Sequence, residues 1–320
     1  MGEQLRFDGR VAIVTGAGLG LGRAHAHLLA ERGATVVVND LGTRDMGGHG
    51  ADEGPAHTVV DEITALGGRA VPDTNSVAER AGAEALVAGA LEQFGRLDIL
   101  VNNAGIIRNR TFLNIGDDEL DPVLDVHLRG AFYVTRPAYE HMSEVGYGRI
   151  VNTSSSSGLF GFFGQSAYAA AKMALVGFTK TLAIEGARYG IKVNALAPGA
   201  LTRMTGDVMG AGSETAETLT GEELDSAFGP HHVAPVVAWL AHEDCDLNGE
   251  ILSAMGGRVG RAFVAVTPGV YDPVLTPEVL RDRQAEILDE SGYVVPDDGP
   301  SEGVLLRQLK AERQEQNDAG

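Results

Sequence analysis

Apolar and polar positions along this chain alternate between two patterns. Short, nearly unbroken β-branched runs occur as VAIVTG from Val11, TVVVND from Thr35, LDILVNNAG from Leu97, GRIVNTSS from Gly148 and IKVNALAPG from Ile191. Such runs predict strands covered on both faces. Between them, near residues 20 to 32, 55 to 67, 79 to 94, 121 to 144 and 166 to 189, lie amphipathic segments rich in alanine and leucine, which predict helices. Strand and helix in alternation are the pattern of stacked βαβ units. The predicted fold class is α/β, a Rossmann-like doubly wound parallel sheet with helices on both faces, plus a C-terminal extension.

Two segments interrupt the alternation. LGTRDMGGHGADEGPAH, after Asp40, is too rich in glycine and charge for an element interior and reads as an inserted surface loop. From about Arg258 a tail begins; within it TPEVLRDRQAEILD offers Thr276 as a helix cap and Pro277 as a first helical residue. The terminal KAERQEQNDAG is charged and expected to fray. The organisation expected is a dinucleotide-binding and catalytic domain over residues 1–257 and an extension over 258–320, packing on the same domain or on a neighbouring subunit.

Composition narrows the function classes. With 320 residues, 44% of them hydrophobic and 22% charged, the chain can bury a large core. Its formal charge of −19 repels a phosphate backbone and an anionic lipid surface, so neither nucleic acid nor membrane is an expected partner. An anionic ligand has to be held by local groups. Cys245 is the sole cysteine, which rules out an internal disulfide and fits a reducing compartment. The opening MGEQLRFDGR lacks a signal peptide's apolar centre, and no uncharged run reaches spanning length, so a cytoplasmic location is expected. No metal is expected.

The first strand runs into GAGLGLG and then a helix, which places Gly16, Gly20 and Gly22 where a dinucleotide's pyrophosphate needs bare backbone amides. The spacing is GxxxGxG, and glycines also serve there merely to pack helix on strand. Asp40 closes the second strand. A carboxylate in that place accepts hydrogen bonds from an adenosine ribose and repels a 2′-phosphate, which favours NAD over NADP; its bland alternative is an ordinary loop carboxylate. Arg44, in the inserted loop, is the residue that would weaken this preference.

Tyr168 and Lys172 stand one helical turn apart and project from one face. A free phenol has a pKa of about 10, too high for a base near neutrality. A positive charge at roughly 4 Å is worth about 4 kcal/mol at an effective dielectric near 20, enough to depress it by two or three pKa units. Tyr168 then takes an alcohol's proton as hydride leaves, and Ser155, at the end of the GRIVNTSS strand, donates to the same oxygen. Taken singly, a tyrosine and lysine at this spacing make a solvated helix face, and Ser154, Ser156 and Ser157 satisfy turn backbone.

TGAGLGLG, NNAG at Asn102 to Gly105, Ser155, YAAAK at Tyr168 to Lys172 and PG at Pro198 to Gly199 occur in that order. Over roughly residues 5 to 255 the chain resembles the short-chain dehydrogenase/reductase family. The resemblance implies Tyr168 as acid and base, Lys172 on the nicotinamide ribose, and Ser155 polarising the substrate oxygen. It implies a cofactor site of Gly16, Gly20, Leu21, Gly22, Asp40, Asn75, Ser76, Asn103, Ala104, Gly105, Tyr168, Lys172, Pro198 and Thr202. It also implies a homo-oligomer, dimer or tetramer, built through the helices near 121 to 144 and 166 to 189.

VVVNDLG, NNAGIIRNRTF, VHLRGAFYVTRPAYEHM, YGRIVNTSSSSGLFGFFGQ, LAIEGARYGIKVNALAP and VAPVVAWLAHEDC carry a narrower likeness. They are similar to the (3R)-hydroxyacyl-CoA dehydrogenase domains of the peroxisomal multifunctional enzymes of β-oxidation. Their hydratase and sterol-carrier domains and a peroxisomal C-terminal tripeptide are missing, so a stand-alone bacterial-type enzyme is expected. Two positions depart from the wider family. His127 occupies the place of a catalytic asparagine; it either helps to hold a proton-relay water or is a buried histidine satisfied by backbone. Asn75 stands for an adenine-contacting aspartate, and its amide can still accept.

The resemblance implies NAD-dependent oxidation of a (3R)-hydroxyacyl-CoA to the 3-ketoacyl-CoA, in oxidation of fatty acids or sterol side chains. An NAD-dependent hydroxysteroid dehydrogenase of 17β type is the alternative, and a nucleotide-binding scaffold without turnover is the reading from another class. Residues 204–228 read as a lid over substrate or as a plain surface connection. Arg108, Arg110 and Arg203 either meet coenzyme A phosphates or pair with the chain's own carboxylates.

Overall fold

The structure is a computed structural model, and it describes residues 4–42, 54–200 and 227–318. The chain divides into two compact units, Met1–Arg261 and Ala262–Gly320.

The first unit is one sheet with helices on both sides. In chain order its elements are β1 (Val11–Thr15), α1 (Gly20–Glu31), β2 (Thr35–Asn39), α2 (Gly54–Ala65), β3 (Arg69–Asp73), α3 (Arg80–Phe94), β4 (Ile99–Asn102) and α4 (Asp117–Leu124). A π-helical turn at Asp125–Arg129 joins α4 to α5 (Gly130–Val145). Then come β5 (Gly148–Thr153), α6 (Ser156–Phe160), α7 (Ser166–Gly186), β6 (Ile191–Gly199), α8 (Ala234–Ala241), β7 (Ile251–Met255) and β8 (Arg258–Ala262). The five predicted strands are present. β3, β7 and β8 were not predicted, because RAVPD alternates weakly and β8, RVGRA, lacks an apolar run. The helix predicted over 121 to 144 is the run from α4 to α5, broken by the π turn.

Strand order is β3-β2-β1-β4-β5-β6-β7-β8, and the pairs from β3 through β7 are parallel. Only Gly256 and Gly257, both with positive φ, separate β7 from β8, a link too short for anything but a hairpin. Successive residues of each strand feed opposite cores. Ala12 and Val14, Val36 and Val38, Ile99 and Val101 pack with Leu29, Ile63 and Val237 from α1, α2 and α8. Ile13, Val37, Leu100 and Ile150 pack with Leu86, Val134 and Met142 from α3 and α5. Burial on both faces explains why these strands are continuous in apolar residues. After β3 the chain crosses to the other side of β1, so β1 and β4 diverge at their carboxyl ends and open a crevice there.

In the second unit Thr276 caps α9 (Pro277–Asp282), its hydroxyl accepting from the Val279 amide at 3.3 Å, as predicted. α10 (Gln284–Ile287) follows, and α11 (Gly303–Asp318) continues through the segment expected to fray.

Candidate active site

The crevice is a cavity of about 1160 Å³, and one residue set after another reaches it from strand ends. Gly16, Gly20, Leu21 and Gly22 come from the β1–α1 turn, Asp40 from the end of β2, Asn75 and Ser76 from beyond β3. Asn103, Ala104 and Gly105 follow β4, Ser155 follows β5, Tyr168 and Lys172 lie on α7, His127 is in the π turn and Pro198 is near the end of β6. Thr202, Arg203, Arg44 and the segment 204–226 lie outside the described residues.

The nucleotide end is shaped by what a side chain would strike. Gly16 has φ +62°, and a methyl there would stand 2.7 Å from Ala104 Cα. At Gly22 a methyl would run into the Gly16 carbonyl, and at Gly18 it would reach 2.8 Å from the Asp40 carboxylate. The turn is tied to β4 by Asn103, whose amide nitrogen donates to the carbonyls of Thr15 at 2.9 Å and Gly16 at 3.1 Å. Thr15 Oγ1 accepts from the backbone of Asn103 and Ala104, each at 3.0 Å. Asp40 is anchored by the amides of Gly18 and Gly42, each donating at 2.8 Å to a different carboxylate oxygen. Asn75 donates its side-chain nitrogen to Asp73 at 2.7 Å, which leaves its amide oxygen as the end for an outside donor. The first turn of α1 carries no acidic residue. A bare helix start, a cradle that any Cβ would fill, and fixed acceptors beyond it fit a dinucleotide.

At the other end, Ser155 is extended at the N-cap of α6 and its Oγ accepts from the Ser157 amide at 3.1 Å. Ser154 serves backbone, donating to the Lys172 carbonyl at 2.8 Å. Lys172 is 3% exposed, donates from Nζ to the Thr153 carbonyl at 2.6 Å and lies 5.6 Å from the Tyr168 ring centre. Burial brings its pKa down to about 7. The depression expected for Tyr168 is absent in the protein alone. Burial raises its phenol above 10.0, and a hydrogen bond with the Ser155 side chain offsets part of that. The physical reason is that removing a phenolate from water costs more than these neighbours return. An oxidised nicotinamide, when bound, would supply the further positive charge that the phenol needs.

His127 is buried, edge-on to Tyr168 with ring centres 5.2 Å apart. Its Nε2 meets the Ile106 carbonyl at 2.7 Å and the Ile106 amide at 3.1 Å, so the backbone pairing foreseen for a buried histidine is present. The shorter contact assigns the ring proton to Nε2. Nδ1 is then a buried acceptor without a partner. Burial first, and Lys172 second, hold the ring well below its ordinary 6.5, which keeps it neutral. The π turn that carries it has no period signature in the sequence.

Of the arginines, Arg108 lines the cavity, whereas Arg110 pairs with Glu119 at 3.3 Å. Sequence reasoning missed Asp117, Asp118 and Asp121, which line the cavity from α4, and Gln165, three residues before Tyr168. Asp117 and Asp118 read as ordinary first-turn helix charges. Gln165 had a usable signal, since that spacing puts it on the tyrosine's face.

Comparison with known proteins agrees with this geometry. Residues 10–211 match the family model described as short chain dehydrogenase. The chain is 47% identical over 300 residues to the peroxisomal multifunctional enzyme type 2 of Mus musculus, covering 92% of this chain and 39% of that protein. It is 42% identical over 312 residues to the hydroxyacyl-CoA dehydrogenase ChsB1 of Mycobacterium tuberculosis, covering 91% of this chain and 93% of that one. The structure of full-length peroxisomal multifunctional enzyme type 2 from Drosophila melanogaster superposes with a TM-score of 0.76 and 38% identity, over 96% of this chain and 50% of that chain. This chain therefore spans half or less of the two multifunctional enzymes. It belongs to the short-chain dehydrogenase/reductase family and is a dehydrogenase that acts on a hydroxyl group with a nicotinamide cofactor.

Proposed function

We propose that this protein oxidises the 3-hydroxyl of a (3R)-hydroxyacyl-CoA to the ketone with NAD. The observation that carries the reading is the meeting of Asp40, the glycine turn, Ser155, Tyr168 and Lys172 on one cavity, in a chain whose relatives include a named hydroxyacyl-CoA dehydrogenase. NAD rather than NADP is supported by Asp40, whose carboxylate is held in place by two backbone amides and would oppose a 2′-phosphate.

When bound, the cofactor supplies the hydride acceptor and a positive charge beside the phenol. Tyr168 takes the hydroxyl proton, and Ser155 donates to the same oxygen as charge develops on it. Lys172, with its pKa near 7, can release a proton or hold one at working pH, which suits it to reset the tyrosine between turnovers. His127, neutral and with Nδ1 unpartnered, supports a place for an ordered water next to Tyr168. Among the described residues no helix is long and apolar enough to cross a membrane. A cytoplasmic homo-oligomer is the accompanying proposal.

The test is NADH formation, followed by absorbance, with both epimers of a 3-hydroxyacyl-CoA and with a steroid alcohol, each offered with NAD and with NADP. The (3R) epimer with NAD is expected to be the preferred pair. Turnover of the steroid alone would replace this reading with that of a hydroxysteroid dehydrogenase, and no turnover of any alcohol would leave a nucleotide-binding scaffold.

A further inference from the structure

One sulfur on the cavity wall has no task in the chemistry above. Met255 closes β7, is 47% exposed and lines the cavity together with Pro198 and Gly199 from the end of β6. The parallel register sets Met255 opposite Gly199. Its side chain lies along that glycine: a methyl on Gly199 would stand 2.7 Å from Sδ and 2.9 Å from Cγ. On the hairpin side, a methyl on Gly256 would come within 3.4 Å of the Phe228 ring, and Phe228 lines the cavity too. The thioether is thus held against backbone on one side while the residue stays open to the cavity.

A thioether in such a place reacts with a hydroperoxide. The sulfur gives up two electrons, an S–O bond forms, the peroxide O–O bond breaks and water leaves. Cys245, the sole thiol, is a poor competitor, since it is buried and burial raises its pKa. Of the other methionines among the described residues, Met142 is buried in the core, and Met173, exposed on α7, does not line the cavity. Among the described residues, Met255 is therefore the sulfur that combines exposure with a place at the site.

We propose that Met255 is a reversible oxidation site whose sulfoxide weakens cofactor binding and so couples turnover to hydroperoxide. The inference rests on the cofactor site proposed above, which puts Pro198 beside the dinucleotide. With the Gly199 backbone in contact behind the sulfur, the added oxygen projects to the open side, into the cavity. It is a polar acceptor where the thioether offered an apolar, polarizable surface, so a cofactor seated there strips its water without replacing the bonds. Methionine sulfoxide reductase restores the thioether, the oxygen leaving as water while two thiols are oxidised to a disulfide.

The test uses the full chain and follows NADH binding by fluorescence, which needs no substrate. Hydrogen peroxide is titrated in, and sulfoxide is assigned at each methionine by peptide mass spectrometry, Met46, Met204 and Met209 included. The NADH dissociation constant is expected to rise by about tenfold in step with sulfoxide at Met255, the scale of one buried oxygen left unpaired. It is expected to return after methionine sulfoxide reductase with a dithiol. Met255→Leu is expected to keep its own untreated affinity through the same treatment, since leucine conserves volume and has no sulfur. Met255→Gln, a polar stand-in for the sulfoxide, is expected to bind NADH more weakly than the wild type without peroxide. Full oxidation of Met255 with NADH binding unchanged would overturn the assignment, as would a loss of binding before Met255 is oxidised, or an equal loss in Met255→Leu. If the leucine variant does not fold, the site-resolved titration of wild-type protein decides alone. Untreated protein that fails to bind NADH would instead remove the proposed cofactor site, and this inference with it.

Discussion

Lys172 Nζ lies 2.6 Å from the Thr153 carbonyl and 5.6 Å from the centre of the Tyr168 ring, so one buried amine links the end of β5 to the side chain proposed as acid and base. Its charge is directed at the strand end, and in the protein alone the phenol of Tyr168 stays above its ordinary 10.0 because it is buried. Cofactor charge then has to make up the difference. The phenolate absorbance of Tyr168, obtained by difference against Tyr168→Phe, is expected to titrate above pH 10 in free enzyme and lower with NAD bound. NADH, whose nicotinamide is neutral, should leave it nearly unmoved. An equal shift with both cofactors would count against the charge argument. Tyr168→Phe is expected to lower kcat by at least about a hundredfold, the lower end of the range for losing a general base.

Lys172 itself imposes a pH dependence on stability. Its pKa falls from 10.5 to about 7 on folding, so between those values the unfolded chain carries the extra proton. Stability then rises with pH across that window. Lys172→Met lacks this slope. Urea denaturation at several pH values from about 6.5 to 10 should find the variant gaining most on the wild type at the acidic end and the gap narrowing toward 10, while activity is lost.

His25, on α1, is fully buried and neither ring nitrogen has a partner. Burial lowers its pKa from 6.5 to about 3, so the folded state favours the neutral ring. The unfolded chain binds the additional proton in the window between, and stability is lost as pH falls from about 6.5 toward 3. His25→Leu is expected to flatten this part of the acid denaturation curve, and at neutral pH to match or exceed the wild type, because the apolar side chain brings no unsatisfied nitrogen inside. A variant with the wild-type acid slope would show that other groups set it.

Asp40 accepts from the amides of Gly18 and Gly42, each at 2.8 Å, which fixes its carboxylate where the adenosine ribose is proposed to lie. Asp40→Ala is expected to lower the ratio of kcat/KM with NAD to that with NADP by about tenfold or more. Steady-state kinetics with both cofactors measure it. An unchanged ratio would shift the selection to the inserted loop.

A row of polar side chains crosses the buried sheet below the site. Asn102 donates to Asn152 at 2.9 Å and to Thr135 at 2.8 Å, and Asn152 donates to Thr179 at 2.9 Å. Asn152→Leu would leave Asn102 and Thr179 each short of a partner in a buried position. The expected cost is about 2–4 kcal/mol of stability, read from denaturant unfolding. A loss under about 1 kcal/mol would mean that the row relaxes locally.

Much of this molecule was legible in its order of residues. The runs at Val11, Thr35, Leu97, Gly148 and Ile191 predicted strands because residues packed against helices on both faces have to be apolar throughout. Gly16, Gly20 and Gly22, and the tyrosine and lysine one turn apart, were visible because their constraints are local: a backbone conformation, a bare amide, a helix face. β3 and β8 were not, since an edge strand is specified by its neighbour's hydrogen bonds more than by its own side chains.

Sequence alone determined which chemical groups are available and which of them share a turn of helix. Tertiary structure decided their state. Whether Tyr168 is acidic or Lys172 near neutral depends on burial and on charges brought in from other strands, and the π turn at Asp125–Arg129 that sets His127 against Ile106 has no local pattern to announce it. Solvation and long-range electrostatics are properties of assembled surfaces, and a linear chain carries them only once it has folded.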